Sequence, residues 1–255
     1  MKKTVLITGA SSGIGKATAY EFASHGYNLI LVARRISNLE QIKAEIQNKY
    51  DVEISVFGKD LSKIESAEEL HQTILDKNLN PDILINNAGF GLKGNFLDFD
   101  TNKEEEMLIL NMITLTKLCR LFGKHFSNTG GGTIINIAST AAFQAVPNLS
   151  TYSATKAYVL SLSEALAYEF KKYKINVLAI CPGATESEFA QVAGFEKTKF
   201  MQNIPTSDDL ARFIFENHLK NCPVKIHGWK NKLMIWSGRF APRQMVINIA
   251  ARLMK

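Results

Sequence analysis

The N-terminal segment contains the feature that most restricts the fold, an apolar strand that runs directly into a glycine-rich turn and a helix. The run Thr4–Thr8 has the length of a buried strand, and a helical pattern continues through His25. The turn between them consists of Gly9, Ala10, Ser11, Ser12, Gly13, Ile14 and Gly15. Glycines here let the backbone turn sharply and let a pyrophosphate approach the helix N-terminus, where free N–H groups favour anions. The segment therefore predicts a dinucleotide-binding unit.

A second apolar run, residues 27–33, completes a βαβ unit of the expected length and ends at an arginine pair. An acidic residue at this point would bind the ribose 2′-hydroxyl of NAD. The chain has Arg34 and Arg35 there instead, and a guanidinium binds a 2′-phosphate through charge-assisted hydrogen bonds. The pair therefore favours NADP(H) as the cofactor. The alternative is two solvated side chains at the start of the next helix.

Alternating strand and helix patterns continue along the chain. Strands are expected at 52–57, 82–85, 133–138, 175–180 and 224–226, and helices at 64–78, from 101 and at 207–220. Thr101 and Glu104 have the spacing of a capping box, and Ser150 is expected to cap the helix after the fifth strand. Strands that alternate with helices form a parallel sheet. The prediction is an α/β fold: a single Rossmann-type domain, doubly wound, with helices on both faces.

The composition agrees with one globular domain. At 255 residues with 46% apolar side chains, the chain can bury a large core. Its formal charge of +6 comes from 30 basic residues scattered among 24 acidic ones for most of the length, so we expect no nucleic-acid partner. The three cysteines lie far apart without metal-ligand spacing and look like reduced thiols. For the same reason we expect no bound metal. Because no apolar stretch has the length of a signal peptide or a membrane span, we expect a cytoplasmic protein.

A tyrosine and a lysine four residues apart, Tyr152 and Lys156, lie near the start of the helix after the fifth strand. On a helix this spacing places both side chains on one face, where an ammonium group favours the ionised phenol. Tyr168 and Lys172 have the same spacing at the far end of the same predicted helix. Because ligands bind at the carboxyl ends of parallel strands, we expect only the first pair at the site and the second at the surface.

Other polar residues are further candidates for the site. Ser139 follows the fifth strand, so its hydroxyl is expected to point into the crevice at the carboxyl edge of the sheet. The small and amide residues 86–89 suit a close approach of the backbone to a ligand. Asn111 lies within the apolar face of a long helix, where a buried amide needs partners. A structural and a functional role for Asn111 are equally open from the helix alone.

Together these motifs resemble the short-chain dehydrogenase/reductase family in order and spacing, over about residues 1 to 228. The resemblance rests on Thr8-Gly9-x-x-x-Gly13-x-Gly15, Asn86-Asn87-Ala88-Gly89, Asn111, Ser139, Tyr152 with Lys156, and Pro182-Gly183-x-Thr185. It implies that Tyr152 is the general acid/base and that Ser139 hydrogen-bonds the substrate oxygen. It also implies that Lys156 binds the nicotinamide ribose and lowers the pKa of the tyrosine, and that Asn111 holds a water molecule in a proton relay.

The resemblance further implies a cofactor-binding surface. The expected set is Gly9, Ser11, Ser12, Gly13, Ile14, Gly15, Arg34, Arg35, Asp60, Leu61, Asn87, Ala88, Gly89, Tyr152, Lys156, Pro182, Gly183 and Thr185. Within it, Asp60 and Leu61 would lie beside the adenine, residues 87–89 would line a ribose, and Arg34 would meet the 2′-phosphate. By analogy with the family, we expect a homodimer or homotetramer.

The region after Gly228 departs from the glycine-rich ending of many family members. It combines apolar residues at helical spacing with six lysines and arginines, and Pro242 is placed to begin a helix. The tail resembles that of a subgroup of ketone-reducing members. We therefore predict a catalytic domain at 1–228 and a helical extension of it at 229–255. The extension can pack on its own domain, cover the substrate pocket, pair with another subunit or lie on a membrane surface.

The predicted function is the NADPH-dependent reduction of a lipophilic ketone or aldehyde. An irregular segment at about 184–205 contains large apolar residues, which favours a lid over the substrate. The pocket would combine residues 189–201 with Phe143, Val146 and Pro147. Two alternatives are an alcohol dehydrogenase working in the oxidative direction and a non-catalytic protein that senses NADP or anchors a partner. The intact Ser139, Tyr152 and Lys156 argue against the second alternative.

Overall fold

The computed structural model describes residues 2–186 and 204–254, which form the predicted α/β architecture. The strands are β1 (Thr4–Thr8), β2 (Asn28–Ala33), β3 (Ile54–Gly58), β4 (Ile83–Asn86), β5 (Gly132–Ile137), β6 (Ile175–Cys181) and β7 (Val224–Ile226). They form one parallel sheet in the order β3-β2-β1-β4-β5-β6-β7. The helices are α1 (Gly13–Ser24), α2 (Ile36–Gln47), α3 (Ser66–Asp76), α4 (Thr101–Leu108), α5 (Leu115–Thr129), α6 (Ser150–Glu169), α7 (Ser207–Asn217), α8 (Trp229–Gly238) and α9 (Arg243–Leu253). The predicted Rossmann-type fold is confirmed.

Successive residues of each strand face opposite sides of the sheet, and helices cover both sides. Ile7 of β1 packs in one buried cluster with Phe22 of α1 and Leu210 of α7. Its neighbour Leu6 packs in the other cluster, with Val159 of α6. Because both faces are buried, the strands read as nearly continuous apolar runs rather than as alternating patterns.

Two predicted helix caps are wrong. Asp100, rather than Thr101, caps α4, and its carboxylate accepts hydrogen bonds from two backbone N–H groups of the first turn. The proposed capping box of Thr101 and Glu104 is therefore absent, because a carboxylate one residue earlier binds the free N–H groups and also favours the helix dipole. Ser150 is the first residue of α6, and the cap position is taken by Leu149, whose side chain makes no capping bond.

Several boundaries differ from the prediction by a few residues. The ends of β2 to β6 move by one or two positions, and α3 and α7 are shorter than expected. The long helix predicted from residue 101 is divided by a π-helical segment, Ile109–Thr114, which contains Asn111. Tyr168 lies in the last turn of α6 and is 85% exposed, while Lys172 lies in the following short 3₁₀ helix, Phe170–Tyr173. The surface position of this second pair is confirmed.

The C-terminal region packs on its own domain as two helices. Pro242 precedes α9, as predicted, and α8 contacts β7 and the short helix Thr140–Phe143. In residues 2–186 and 204–254, no helix is long and apolar enough to cross a membrane. The same residues contain no group of His, Cys, Asp and Glu side chains that could hold a metal ion. Residues 187–203, which make up most of the segment predicted to form a lid (about 184–205) and include the predicted pocket residues 189–201, lie outside the described residues.

His218, at the end of α7, is a buried histidine remote from the strand ends that were predicted to form the site. Its Nε2 lies 3.1 Å from the hydroxyl oxygen of Tyr27. Burial holds the pKa of His218 below its ordinary value of 6.5. The folded chain therefore favours the neutral ring.

We predict that the free energy of unfolding falls as the pH is lowered through 6.5, because the unfolded chain then binds a proton at His218 that the folded chain does not. Above that pH the contribution is fully present. His218→Gln removes this titration, so its stability should depend less steeply on pH. Urea denaturation at pH about 7.5 and about 5.5 measures both dependences. Equal pH dependence in the two proteins would contradict the prediction.

Candidate active site

The carboxyl ends of β1 and β4 meet where the strand order reverses. The chain runs outward from β1 to β3 and then returns to the other side of β1. Across the junction, Asn87 Nδ2 donates hydrogen bonds to the carbonyl oxygens of Thr8 (2.9 Å) and Gly9 (3.2 Å). In open α/β sheets, ligands bind in the crevice at such a switch point. The predicted glycine turn and the 86–89 segment therefore lie together at the expected place.

The glycine turn is packed so closely against the β4 loop that side chains do not fit. Gly9 has a φ of +66°, in the left-handed region. A Cβ atom on Gly15 would lie 2.3 Å from the carbonyl oxygen of Gly9 and 2.6 Å from Asn87 Nδ2. Because α1 begins within the turn at Gly13, its free N–H groups lie there too. This cradle fits a pyrophosphate.

Thr8 holds the β4 loop in place, although it is absent from the set of site residues predicted above. Its Oγ1 accepts hydrogen bonds from the backbone N–H groups of Asn87 and Ala88, both at 3.0 Å, and donates to the Ile85 carbonyl oxygen at 3.3 Å. The threonine is itself buried. A hydroxyl at a strand end, directly before the glycine turn, is the sequence signal that identifies it.

The two arginines after β2 occupy different surroundings. Arg35 Nη2 donates to the hydroxyl oxygens of Ser12 (2.8 Å) and Ser11 (3.2 Å), so it lies over the glycine turn. Arg34 is exposed, and its charge acts on the carboxyl group of Asp60, two residues after the end of β3. Burial opposes ionisation of Asp60, but hydrogen bonds from Ser62 and the charge of Arg34 hold its pKa below the ordinary value. Both arginines therefore lie at the end of β2, with Arg35 directed towards the turn after β1 and Arg34 near the loop after β3.

Tyr152, Lys156 and Ser139 come together at the carboxyl end of β5. The Tyr152 hydroxyl shares a hydrogen bond with the Ser139 side chain. Lys156 Nζ lies 5.7 Å from the centroid of the Tyr152 ring and donates a hydrogen bond to the Ile137 carbonyl oxygen at 2.8 Å. Tyr152 and Lys156 are both buried, whereas Ser139 is partly exposed. The three predicted side chains are thus neighbours.

Burial governs the protonation of this pair. It raises the pKa of Tyr152 to about 12, against the smaller, opposite effect of the Ser139 hydrogen bond. It lowers the pKa of Lys156 to about 8, an effect that Cys181 partly offsets. Removal from water dominates both groups, and the expectation that Lys156 lowers the pKa of the tyrosine stays a prediction. Tyr152 is therefore protonated near neutral pH and can donate its proton.

Asn111 links the β4 loop to α6. Its Nδ2 donates to the carbonyl oxygen of Phe90 (2.9 Å) and to Thr155 Oγ1 (3.1 Å), and its Oδ1 accepts from the Phe90 N–H (3.2 Å). A Cβ on Gly89 would lie 2.9 Å from Asn111 Oδ1 and 3.6 Å from Lys156 Nζ. The amide thus has a structural role beside the lysine. A part in a proton relay stays a prediction.

The loop after β6 lies between the helix Thr140–Phe143 and α8. The Thr140 N–H donates to the carbonyl oxygen of Pro182 at 2.8 Å. A Cβ on Gly183 would lie 2.6 Å from Nδ2 of Asn231 in α8, which in turn donates to the His227 carbonyl oxygen at 2.8 Å. Asn231 is a site neighbour that no local pattern in the sequence indicates. The C-terminal region therefore contacts the loop that was predicted to bind the cofactor.

An apolar cluster surrounds Tyr152. It contains Met107, Val146 and Leu149, and Phe90, Leu92, Ala141 and Met254 pack against it. Met254 follows α9, so the C-terminal region reaches the surroundings of the tyrosine. Of the predicted pocket residues, Val146 belongs to this cluster, whereas Phe143 packs with the core on one face of the sheet.

Comparison with known proteins agrees with this arrangement. The family model described as short chain dehydrogenase matches residues 3–197. The chain belongs to the short-chain dehydrogenase family. The glycine turn, the β4 loop and the buried tyrosine all lie within the matched residues, whereas α7, α8 and α9 follow them.

Individual members of the short-chain dehydrogenase family are similar to this chain over most of its length. An NADP-dependent 3-hydroxy acid dehydrogenase from Schizosaccharomyces pombe is 34% identical over 192 residues, 74% of each protein. The structure of a short-chain dehydrogenase from Sphingobium yanoikuyae in complex with NADPH is 32% identical with a TM-score of 0.83, over 93% of this chain and 94% of that one. The bulky-bulky ketone specific alcohol dehydrogenase from Comamonas testosteroni is 30% identical with a TM-score of 0.78, over 93% and 92%.

We predict that Gly89→Ala lowers kcat/KM about 10- to 100-fold, because the added methyl group displaces Asn111 or Lys156. Gly238→Ala is the matched control, since no atom lies within 4 Å of the position that its Cβ would take. Steady-state kinetics of NADPH oxidation, with the unfolding temperature of each variant, measure the effect. Normal kinetics for a stably folded Gly89→Ala would show that the close packing is not needed.

Proposed function

We propose that this short-chain dehydrogenase reduces the carbonyl group of a lipophilic ketone or aldehyde with NADPH, and that Tyr152 is the general acid. The observation that carries the proposal is the position of Tyr152, which is buried beside Ser139 and Lys156 and lies inside an apolar cluster. A carbonyl oxygen that meets these two hydroxyl groups has its carbon skeleton beside apolar side chains. The name of the Comamonas testosteroni relative, which is specific for bulky ketones, supports the same substrate class.

The cofactor of the proposed reaction is NADP(H). The cradle of Gly9, Gly15 and Asn87 excludes side chains at both glycines, so the backbone N–H groups at the start of α1 are left for a pyrophosphate to approach. Arg34 and Arg35 occupy the end of β2, where an acidic residue would repel a 2′-phosphate. The NADP-dependent relative and the structure solved with NADPH support this choice. When bound, NADPH supplies the hydride for the reduction.

The side chains of the site stabilise the charge that develops on the substrate oxygen. Tyr152 donates its proton to that oxygen, and the Ser139 hydroxyl fixes the position of the same atom. Lys156, held by the Ile137 carbonyl oxygen, provides an ammonium group close to the phenolate that remains. Asn111 positions the β4 loop against α6 and, in this proposal, holds the water molecule through which the tyrosine regains a proton.

The chain is an oxidoreductase that acts on CH–OH or C=O groups, and we propose the reductive direction because cellular NADP is mostly reduced. A homodimer or homotetramer and a cytoplasmic location stay predictions. The division into 1–228 and 229–255 is also a proposal. The contacts of Asn231 with Gly183 and of Met254 with the Tyr152 cluster support an extension that belongs to the catalytic domain.

We predict that Tyr152→Phe lowers kcat about 10²- to 10⁴-fold while NADPH still binds, because only the proton donor is removed. Tyr168→Phe, at the exposed end of α6, is the matched control and should be normal. The value of kcat is measured as NADPH oxidation with panels of keto-acyl, steroid, quinone and aldehyde substrates. NADPH binding is measured by fluorescence. Near-normal turnover by Tyr152→Phe would overturn the mechanism. Binding by the wild type without turnover on any panel would favour the sensor.

We predict that Arg34→Ala raises the KM for NADPH about 10- to 100-fold and leaves the KM for NADH little changed, because it removes a charged partner of the 2′-phosphate. Arg35→Ala should weaken both cofactors, since Arg35 also holds Ser11 and Ser12 of the shared turn. Lys171→Ala, an exposed cation after α6, is the control. Equal effects of Arg34→Ala on the two cofactors would refute the assignment.

A further inference from the structure

The net positive charge of the chain is confined to its C-terminal region. Residues 217–255 contain eight of the 30 lysines and arginines and none of the 24 aspartates and glutamates. The preceding 216 residues therefore have 22 basic and 24 acidic side chains, a formal charge of −2. The C-terminal region has a formal charge of +8. The similar numbers of basic and acidic residues in the whole chain therefore conceal a strongly basic segment.

The same region exposes a row of large apolar side chains. Trp229, Leu233 and Trp236 share one face of α8 and are 70%, 55% and 61% exposed. Phe240 follows the helix, is 75% exposed and lies with its ring centroid 5.1 Å from that of Trp236. A second exposed row lies on α9 and consists of Met245, Ile249 and Leu253, which follow one another at intervals of four residues. Exposed apolar surfaces of this kind mark interaction sites.

Other side chains of the two helices are buried and attach them to the domain. Ile235 of α8 and Ala250 of α9 are buried. Asn231 lies against Gly183, and Met254 packs against the cluster around Tyr152. The exposed rows keep much of their surface open to solvent, although Trp229, Leu233 and Trp236 also line a groove of about 660 Å³ together with Phe143, Val224 and Ile226 of the domain.

Exposed cations accompany the apolar rows. Lys230, Lys232, Arg239, Arg243 and Arg252 are all exposed, and no salt bridge joins any of them to another residue in the described part of the chain. A second copy of the chain would bring the same cations to a two-fold interface, where they would repel one another. An anionic lipid surface complements them, and its headgroup region accepts tryptophan and phenylalanine rings beside basic side chains.

We propose that α8 and α9 form a docking surface for the headgroup region of a phospholipid bilayer that contains anionic lipids. The exposed apolar rows enter the interface, and the flanking cations pair with the headgroup charges. The proposal concerns peripheral binding only, and it stands independently of the reaction that the enzyme catalyses.

Both tryptophans of the chain lie in the exposed row of α8, so intrinsic tryptophan fluorescence reports on this surface alone. The full chain is mixed with vesicles of phosphatidylcholine or of equal parts phosphatidylcholine and phosphatidylglycerol. We expect a blue shift of the emission and weaker quenching by acrylamide with the anionic vesicles. Co-sedimentation with these vesicles should exceed that with phosphatidylcholine by more than about tenfold and should fall at high salt.

Substitutions on the docking surface separate the contribution of its positive charges from that of its apolar side chains. Arg239→Glu with Arg243→Glu should reduce co-sedimentation with anionic vesicles by more than about tenfold. Trp236→Ala with Phe240→Ala should also reduce it, through the lost apolar contact. Lys171→Glu with Lys172→Glu, two exposed cations elsewhere on the chain, is the matched control and should bind as the wild type does. Unfolding temperature and NADPH oxidation verify that each variant is folded.

Three results would overturn the proposal. One is the absence of both a blue shift and co-sedimentation with anionic vesicles, and another is unchanged binding by the charge-reversed variant. The third is a blue shift that grows with protein concentration without vesicles, together with a dimer in sedimentation equilibrium that Trp236→Ala with Phe240→Ala dissociates. That outcome would assign the surface to a second copy of the chain.

Discussion

The hydrogen bonds between the end of β1 and the loop after β4 determine where the rest of the site lies. Asn87 reaches the backbone of Thr8 and Gly9, while the Thr8 hydroxyl holds the N–H groups of Asn87 and Ala88. These bonds bring the two loops so close that Gly15 tolerates no side chain. In the proposed function this tightness has a chemical consequence, because the absence of side chains at the turn lets a pyrophosphate approach the N–H groups at the start of α1. Tertiary packing and cofactor recognition are therefore parts of one arrangement.

The burial that stabilises the sheet also sets the protonation of the proposed general acid, Tyr152. Removing Tyr152 and Lys156 from water favours the neutral form of each, so the phenol keeps its proton and the ammonium group becomes easier to deprotonate. A lysine in such surroundings helps a tyrosine when negative charge develops on the phenol oxygen, since attraction is strongest where water is scarce. In the proposed mechanism, burial therefore keeps Tyr152 protonated before the reaction, and Lys156 stabilises the phenolate after the proton has left.

The sequence was sufficient for predictions that rest on local patterns. Buried strands, the glycine turn, the arginine pair and the choice of Tyr152 over Tyr168 follow from periodicity and from the polarity of a parallel sheet. The cap of α4 was misplaced because Asp100 and Thr101 are adjacent residues that can both act as caps. The π-helical turn at Asn111 and the contacts of Asn231 and Met254 depend on packing between distant segments. An amphipathic pattern shows that a helix has an apolar side but not which surface that side meets.

The C-terminal helices α8 and α9 have one side that packs near the proposed active site and another side that is exposed to solvent. Their packing side touches the loop at Gly183 and, through Met254, the apolar cluster at Tyr152. Their exposed side combines Trp229, Trp236 and Phe240 with cations that form no salt bridge among the residues the structure describes. An apolar ketone is more concentrated in a bilayer than in water, because burial of apolar surface is favourable. If both proposals hold, an enzyme docked through α8 would be held at the surface of the phase that dissolves most of such a substrate.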